Sequence, residues 1–160
     1  GEAKNDSMDT CSTKVLATGQ DGPEPVQLDD QVAHLLRRAH QRASSIYLGL
    51  LAGQQLTPTQ YFAMARLHEM GELSQNRLGR LAAMDPATIQ GVIQRLAERG
   101  YIQRLPDPTD RRRMVLRLTR DGRAVIAPLL AESARINEAV LEPLDDDQRA
   151  LFVSLLRRLV

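Results

Sequence analysis

The chain lacks most of the features that mark enzymes, secreted proteins and membrane proteins. Its single cysteine, Cys11, excludes an internal disulfide and a cysteine-based zinc site. No stretch approaches the ~18 consecutive apolar residues of a membrane span, and the first residues lack the apolar core of a secretory signal. We therefore expect a cytoplasmic protein without a membrane partner. No glycine-rich phosphate loop, metal-ligand cluster or nucleophile beside a base is recognisable, so we expect neither an enzyme nor a bound metal or cofactor.

The charge of the chain is small in total but unevenly distributed. The net charge is only +1 over 160 residues, which argues against a protein that is basic throughout. Between Gly71 and Val125, however, eleven arginines stand against six acidic residues and give this window a net charge of +5. A basic centre between acidic flanks is the expected footprint of a local phosphate-binding surface.

The composition divides the chain into a tail and one domain. Residues 1–27 mix Asp, Ser, Thr, Gly and Pro without apolar periodicity, which predicts a disordered tail. Residues 28–160 are long enough for a single domain of ordinary size. Within that domain the signals for short helices and strands concentrate in residues 56–119.

Long apolar faces occur on both sides of this central segment. Apolar side chains recur at helical spacing from about Asp29 to Ala52, and a last helix that begins near Asp145 presents Leu151 to Leu159 on one face. A domain of this size has too little remaining surface to cover both faces. We therefore expect residues 28–55 and 120–160 to be helices that join two copies as a homodimer.

The central segment follows the rules of helix capping. Ser, Thr or Asp side chains accept hydrogen bonds from the free amides of a first helical turn, and proline fits the first helical position. These signals predict helices that begin after Thr57, Ser74 and Asp85, the first of them ending at Met70 and the last at Gly100.

A hairpin and a long helix follow. Tyr101–Leu105 and Met114–Leu118 alternate with period two, which predicts two strands joined by an arginine-rich tip. Thr119 then predicts the start of a single helix that continues to about Glu142, with Pro128 as a site for a kink. The predicted fold is mainly α with a small β-wing, a winged helix-turn-helix with a helical dimerisation region.

A winged helix-turn-helix places one helix in the DNA major groove and the wing in the neighbouring minor groove. Thr and Gln side chains bond base edges, small residues let the backbone approach, and arginine suits a narrow minor groove. An ordinary solvated face is the alternative explanation for the helix residues taken alone. The predicted DNA contacts are Ser74, Gln75 and Arg77 before the turn, Pro86, Ala87, Thr88, Gln90, Gly91, Gln94 and Arg95 on the second helix, and Asp110, Arg111, Arg112 and Arg113 on the wing.

The segment Leu56–Gly122 resembles the multiple antibiotic resistance regulator (MarR) family. The matching motifs are the LTPTQY opening, the DPTDRR wing and the LT-x-DG entry to the long helix, within a resemblance that spans about Leu28 to Val160. The resemblance implies a triangular homodimer that binds palindromic promoter DNA, usually as a repressor relieved by a small molecule. It also implies that Arg112 enters the minor groove and that Asp110 braces it.

The resemblance further suggests how the protein is controlled. One branch of the family senses peroxide with a cysteine early in its first helix, where this chain has Ala33 or a close neighbour, whereas Cys11 lies upstream in the tail. This difference favours a reversible ligand over a thiol switch. The LGRLAAMDPATIQGV stretch is similar to members that govern aromatic-compound catabolism, so we expect a catabolic or efflux operon as the target.

The family's pocket lies near the first, second and fifth helices. Polar residues on those helices are compatible with an aromatic or heteroaromatic acid, or its thioester, although each alone also fits a structural role. Arg38 and Arg42 fit surface pairing better than binding of a carboxylate. Two alternatives remain open, a redox-responsive member of the family and a winged-helix module that binds proteins. The candidate ligand-binding residues are His40, Ser44, Tyr47, Tyr61 and His68.

Overall fold

The computed structural model describes residues 22–160. Most of the predicted disordered tail, and Cys11 with it, lies outside the described residues, and residues 22–27 form neither helix nor strand. The described part of the chain forms seven α-helices and three β-strands, in the order α1 (Val32–Leu51), α2 (Pro58–Met70), β1 (Glu72–Leu73), α3 (Gln75–Leu81), α4 (Pro86–Glu98), β2 (Ile102–Pro106), β3 (Met114–Leu118), α5 (Arg120–Ala131), α6 (Ser133–Val140) and α7 (Asp146–Arg157). The predicted winged helix-turn-helix is confirmed, with α3 and α4 as the two helices and β2–β3 as the wing.

Five of the helices begin at the predicted capping residues. In each, a side-chain oxygen accepts a hydrogen bond from the backbone N–H three residues further along, which satisfies one of the free amides of the first turn. The pairs are Thr57 with Gln60 (3.2 Å), Ser74 with Arg77 (3.3 Å), Asp85 with Thr88 (2.8 Å), Thr119 with Gly122 (3.0 Å) and Asp145 with Gln148 (2.9 Å).

The wing is attached to the helix-turn-helix by a short strand that the sequence pattern does not predict. The sheet is antiparallel with the order β1-β3-β2. Glu72 pairs with Arg117 and Leu73 with Leu116, so the segment between α2 and α3 forms one edge of the sheet. The Glu72 carboxylate also pairs with the Arg117 guanidinium at 3.4 Å. Two residues carry no measurable alternation, which is why β1 escapes prediction.

The winged lobe, defined here as Pro58–Leu118, has its own apolar core. The side chains of Leu67, Leu78, Ile93 and Leu96 are at most 1% exposed and pack in one cluster with apolar residues of β2, β3 and α5. This cluster joins α2, α3, α4 and the sheet. The core therefore holds α4 and the wing (β2–β3) in a fixed position relative to each other.

The entry to α5 packs tightly against the end of α4. The Thr119 hydroxyl donates to the Gly100 carbonyl at 2.6 Å, and the Thr119 N–H donates to the Tyr101 carbonyl at 3.0 Å. A Cβ at Gly122 would overlap the Tyr101 carbonyl oxygen and lie 2.9 Å from its carbonyl carbon. Only glycine fits this position of the LT-x-DG motif.

The predicted single helix from Thr119 to Glu142 is wrong, because the structure forms two helices. The chain leaves α-helical geometry at Glu132, whose N–H donates to the Leu129 carbonyl three residues back, at 3.2 Å. Pro128 has no N–H and so cannot continue the helical ladder to the carbonyl four residues before it. The last turn of α5 tightens after this interruption, and α6 starts afresh at Ser133.

The first helix begins later than predicted. Leu28–Asp30 forms a separate 3-10 turn, and Gln31 is extended, with φ −71° and ψ 125°. α1 therefore starts at Val32, and a second 3-10 turn, Ala52–Gln54, follows its end.

The terminal helices bury little of their apolar surface in their own chain. Leu51 is the one buried residue of α1, and none in α7 is buried, among the residues that the structure describes. Val32, Leu155 and Leu159 are 67%, 48% and 69% exposed. α1 does contact α6, where the Arg42 guanidinium donates to the carbonyls of Ala139 and Val140. Over residues 22–160, no helix combines the length and apolar character needed to cross a bilayer.

Candidate DNA-binding surface and ligand cavity

Helix α4 presents a polar face opposite its buried one. Ile89, Val92 and Ile93 point into the core, whereas Thr88, Gln90, Gln94 and Arg95 are exposed. The Asp85 carboxylate accepts bonds from both the N–H and the hydroxyl of Thr88, each at 2.8 Å. These bonds hold the pKa of Asp85 below its usual value, because they stabilise the carboxylate form. The Asp85 carboxylate thus fixes the first turn of α4.

The remaining predicted contacts on this surface are also accessible. Pro86 and Ala87 are exposed at the start of α4, and Gly91 is half-buried. The side-chain amide of Gln94 donates to the Glu98 carboxylate at 3.1 Å, so a base edge must compete with Glu98 for this amide.

The wing tip is a loop folded by two aspartates. Asp107 accepts from the N–H and the hydroxyl of Thr109, at 2.8 and 2.7 Å, and its own N–H donates to the Arg113 carbonyl at 2.8 Å. The side-chain bond from Thr109 and then the backbone bond lower the pKa of Asp107. The sequence analysis missed this organising role of Asp107, although an Asp two residues before a Thr is typical of such a turn.

Asp110 holds the tip differently from what the resemblance implies. Its carboxylate pairs with the Arg113 Nε at 3.4 Å and accepts from the backbone N–H of Arg112 at 3.1 Å. Asp110 therefore braces the guanidinium of Arg113 but only the backbone of Arg112. The guanidiniums of Arg111 and Arg112 are exposed and form no ion pair with any residue between 22 and 160.

The start of α3 adjoins the wing. Ser74, Gln75 and Asn76 share a notch with Arg113 and Met114. Ser74 already uses its hydroxyl oxygen as the cap of α3, and Arg77 is exposed in the first turn. Residues of α3 and of the wing therefore lie close enough to contact one stretch of polyanion together.

A cavity of about 450 Å³ lies between α1, α2, the end of α3 and the break between α5 and α6. One wall is aromatic, with ring centroids 5.3 Å apart for Tyr47 and Tyr61 and 5.1 Å apart for Tyr47 and Phe62. Burial raises the pKa of Tyr61, and nearby Tyr47 and Glu69 raise it further. The cavity therefore offers a wall of mutually tilted aromatic rings, whose phenols remain protonated at neutral pH.

The rest of the lining includes the turn of the helix-turn-helix and an ion pair on α2. Leu81, Ala82 and Ala83 line the cavity together with Arg66 and Glu69. The Arg66 Nη1 pairs with the Glu69 carboxylate at 2.8 Å, and its Nε donates to the Leu81 carbonyl at 3.1 Å. Ala83 has a left-handed backbone with φ 53°, which L residues other than Asn and Asp seldom adopt.

Comparisons with known proteins identify the family of this chain. The MarR family model matches residues 56–114. The HTH-type transcriptional repressor NicR of Pseudomonas putida is 35% identical over 136 residues, which cover 85% of this chain and 86% of NicR. The chain belongs to the MarR family.

Solved structures of relatives agree with this assignment. A probable transcriptional regulator from Pseudomonas aeruginosa is 46% identical and superposes with a TM-score of 0.77, covering 84% of this chain and 100% of that protein. BpsR of Bordetella bronchiseptica, whose DNA binding is regulated by 6-hydroxynicotinic acid, is 34% identical with a TM-score of 0.78, covering 85% and 97%. These MarR-family relatives are regulators of transcription and not enzymes, in agreement with our expectation.

The cavity of this MarR-family chain contains some of the predicted ligand-binding residues. Tyr47 and Tyr61 line it, whereas His40, Ser44 and His68 lie outside its lining. His40 and Ser44 are 3.5 Å apart on α1, toward the N-terminal side of Tyr47, and His68 is exposed on α2. Arg42 is occupied with α6 and pairs weakly with Glu142 at 3.9 Å, as surface pairing predicts.

Most of the cavity lining was not predicted from the sequence, including three residues of α2. Phe62, Arg66 and Glu69 follow one another at spacings of four and three, so they share one face of α2. That spacing is visible in the sequence, but a charged pair on a helix usually marks a solvated surface. In the folded protein, however, Arg66 bonds to the Leu81 carbonyl, and this face of α2 lines the cavity. No group of three His, Cys, Asp or Glu residues suited to a metal occurs within residues 22–160.

Proposed function

We propose that the chain is a cytoplasmic transcriptional repressor of the MarR family that binds a palindromic operator in double-stranded DNA as a homodimer. A small aromatic or heteroaromatic acid, or its thioester, releases it from the operator of a catabolic or efflux operon. The observation that carries the DNA-binding proposal is the wing tip, where Asp107 and Asp110 fold a loop that leaves the guanidiniums of Arg111 and Arg112 exposed and unpaired in the described chain. The names and regulation of NicR and BpsR support it.

The homodimer follows from the exposed faces of the terminal helices. Exposed Leu155 and Leu159 on α7 are complemented by apolar residues of α1, such as Val32 and Leu35, that its own chain leaves exposed. A second copy brings the same faces, as a two-fold interface requires. The two lobes then address half-sites about one helical turn, ~10 bp, apart.

Replacement of Arg112 tests the role of the wing. Arg112→Ala should weaken operator binding by at least about tenfold, equivalent to about 1.4 kcal/mol, because a guanidinium inserted into a groove contributes both charge and fit. It should also reduce the slope of log affinity against log salt by about one. Arg158→Ala is the matched control, since it removes the same charge near the C-terminus. Fluorescence anisotropy over a salt series measures both, and unchanged affinity in Arg112→Ala refutes the wing assignment.

Base readout by α4 needs a separate measurement. Substitution of Gln90 or Thr88 should change which operator sequence is preferred while leaving the salt slope nearly constant, because base contacts release no counterions. If DNA is bound with no salt dependence at all, or not bound, the chain is better explained as a winged-helix module for protein partners.

The ligand proposal rests on the aromatic wall of the cavity. A planar acid can stack on one of the rings of Tyr47, Tyr61 and Phe62, which are tilted to one another by 49° to 72°, and the cavity volume of about 450 Å³ accommodates one aromatic ring with its substituents. A panel of benzoates, hydroxycinnamates, nicotinates and their thioesters should include a compound that releases DNA at micromolar concentration. Release by peroxide that disappears in Cys11→Ser would replace this proposal with a redox switch.

A further inference from the structure

We propose that Arg66 both binds the carboxylate of the effector and transmits its binding to the helix-turn-helix, because the carboxylate takes the guanidinium away from the Leu81 carbonyl that it holds in the free protein. The inference rests on the proposed function in one respect, the presence of an anionic effector in the cavity. It adds the residue that recognises the charge and the contact that is lost.

The charge of the cavity lining favours Arg66 as the group that binds the carboxylate. Arg66 is the one cationic side chain among the described residues that line it, and Glu69 is the one anion. Their ion pair at 2.8 Å makes the lining neutral in the free protein. An effector carboxylate in this space therefore has a single intramolecular candidate for a charge-assisted bond, and Glu69 competes with it for that group.

The geometry of the Arg66 guanidinium indicates which of its contacts the carboxylate displaces. Its Nε is bound to the Leu81 carbonyl and its Nη1 to Glu69, which leaves Nη2 without a protein acceptor in the described chain. A two-pronged carboxylate needs two neighbouring N–H groups. The edge formed by Nε and Nη2 has only a neutral carbonyl to displace, whereas the edge formed by Nη1 and Nη2 requires displacement of a carboxylate. The effector carboxylate should therefore displace the Leu81 carbonyl from Nε and leave Glu69 bound to Nη1.

The position of Leu81 links the displaced contact to the helix-turn-helix. It is the last residue of α3, and its carbonyl is among those that a helix end leaves without an intrahelical partner. The bond from Arg66 ties this helix end to α2. Beyond it, the left-handed Ala83 turns the chain toward α4, and Ala82 and Ala83 are themselves walls of the cavity. Loss of the tie frees the turn that sets the angle between α3 and the recognition helix.

Glu69 has an opposite role in this arrangement. Its carboxylate lies close enough to raise the pKa of Tyr61, so its charge is felt at the aromatic wall. It repels an incoming anion and retains Arg66 in the free position. Removal of the Arg66 charge should therefore lower the affinity for acids, whereas removal of the Glu69 charge should raise it. Both changes should affect neutral ligands of the same shape less.

The experiment compares each acid with its amide. Binding of nicotinate and nicotinamide, and of benzoate and benzamide, is measured by calorimetry on the full chain. The unmodified protein should prefer the acids by about tenfold or more. Arg66→Ala should remove this preference, whereas Glu69→Gln should strengthen binding of the acids several-fold and leave the amides unchanged. Arg135→Ala and Glu132→Gln are the matched controls, because this pair at 2.9 Å has the same three-residue spacing, joins the cap of α6 to its first turn and does not line the cavity.

A second readout tests the tie to α3. Without any ligand, Arg66→Ala should bind operator DNA at least about threefold more weakly than the unmodified protein, because the end of α3 is already free. Arg66→Lys, which keeps the charge but not the two-pronged edge, should bind acids more weakly than the unmodified protein and more tightly than Arg66→Ala.

The outcomes separate this inference from the proposed function. If the unmodified protein binds no acid of the full panel, the ligand part of the proposed function fails and this inference fails with it. If the protein binds acids but Arg66→Ala weakens acids and amides equally, Arg66 has only a structural role and the inference alone is overturned. Full ligand-free DNA affinity in Arg66→Ala overturns the tie to Leu81.

Discussion

The winged lobe and the terminal helices α1 and α7 both contain many leucines and isoleucines but use them differently. In the lobe, side chains such as Leu96 and Ile93 are fully buried within their own chain. In α7, none is buried, and Leu159 remains 69% exposed. The lobe therefore buries its apolar side chains within its own chain, in a core that it shares with Leu51 and with α5, whereas α7 leaves its apolar face exposed.

The largest effect is expected where the lobe meets α5. Gly122→Ala places a methyl group onto the Tyr101 carbonyl, which is backbone and cannot move aside cheaply. We expect a loss of about 3 kcal/mol in the free energy of unfolding, measured with denaturant. Gly91→Ala is the control, because a Cβ there meets no atom within 4 Å and alanine favours a helix interior. Equal stability of the two variants contradicts the close packing at this junction.

The interface of the terminal helices is tested by Leu155→Asp. A carboxylate placed in an apolar interface without a partner should weaken dimerisation by more than about 2 kcal/mol. Light scattering at micromolar concentration should then show a monomer. Ala150→Asp introduces the same charge at an exposed position on the opposite face of α7 and should remain dimeric.

The same variant sharpens the contrast between the two regions. Because the lobe has its own core, monomeric Leu155→Asp should retain much of its helical circular dichroism. A monomer that unfolds completely would show that the lobe depends on the terminal helices more than its burial suggests. A stable dimer would show that α7 is not the interface.

The smallest effect is expected in the turn between α3 and α4. Ala83→Gly removes the crowding of a left-handed Cβ but adds flexibility to the unfolded chain, so the net gain should be about 0.5 kcal/mol. Ala82, with φ −95° and ψ 7°, has no such crowding. Ala82→Gly should therefore destabilise the protein by about 0.5–1 kcal/mol. Thermal unfolding of the pair measures the difference in sign, and the same sign in both would contradict it.

Local chemistry explains which elements are predictable from the sequence. The capping residues Thr57, Ser74, Asp85 and Thr119 act within three residues of themselves, and each starts a helix where predicted. The hairpin strands are five residues long and alternate clearly. Strand β1 is different, because its two residues become a strand only through pairing with β3.

Contacts between distant parts of the chain explain the remaining differences. The break at Glu132 follows Pro128, but a proline in the sequence indicates only a kink and does not decide between a bend and a new helix. Arg66 forms its decisive bond with Leu81, fifteen positions away, which no helical pattern reveals. The cavity is therefore predictable only in small part. Its tyrosines follow from the family resemblance, but its ion pair follows from tertiary structure.

The short strand β1 has a consequence for the spacing of contacts within the DNA site. Leu73 pairs with Leu116, so the sheet links the segment before α3 directly to the wing. If α4 and the wing occupy neighbouring grooves, the number of base pairs between their contacts is set by this sheet and cannot be adjusted. In the proposed homodimer, in contrast, the terminal helices of both copies would set the distance between two half-sites. Natural operators should then vary in their inter-half-site spacing before they vary within a half-site.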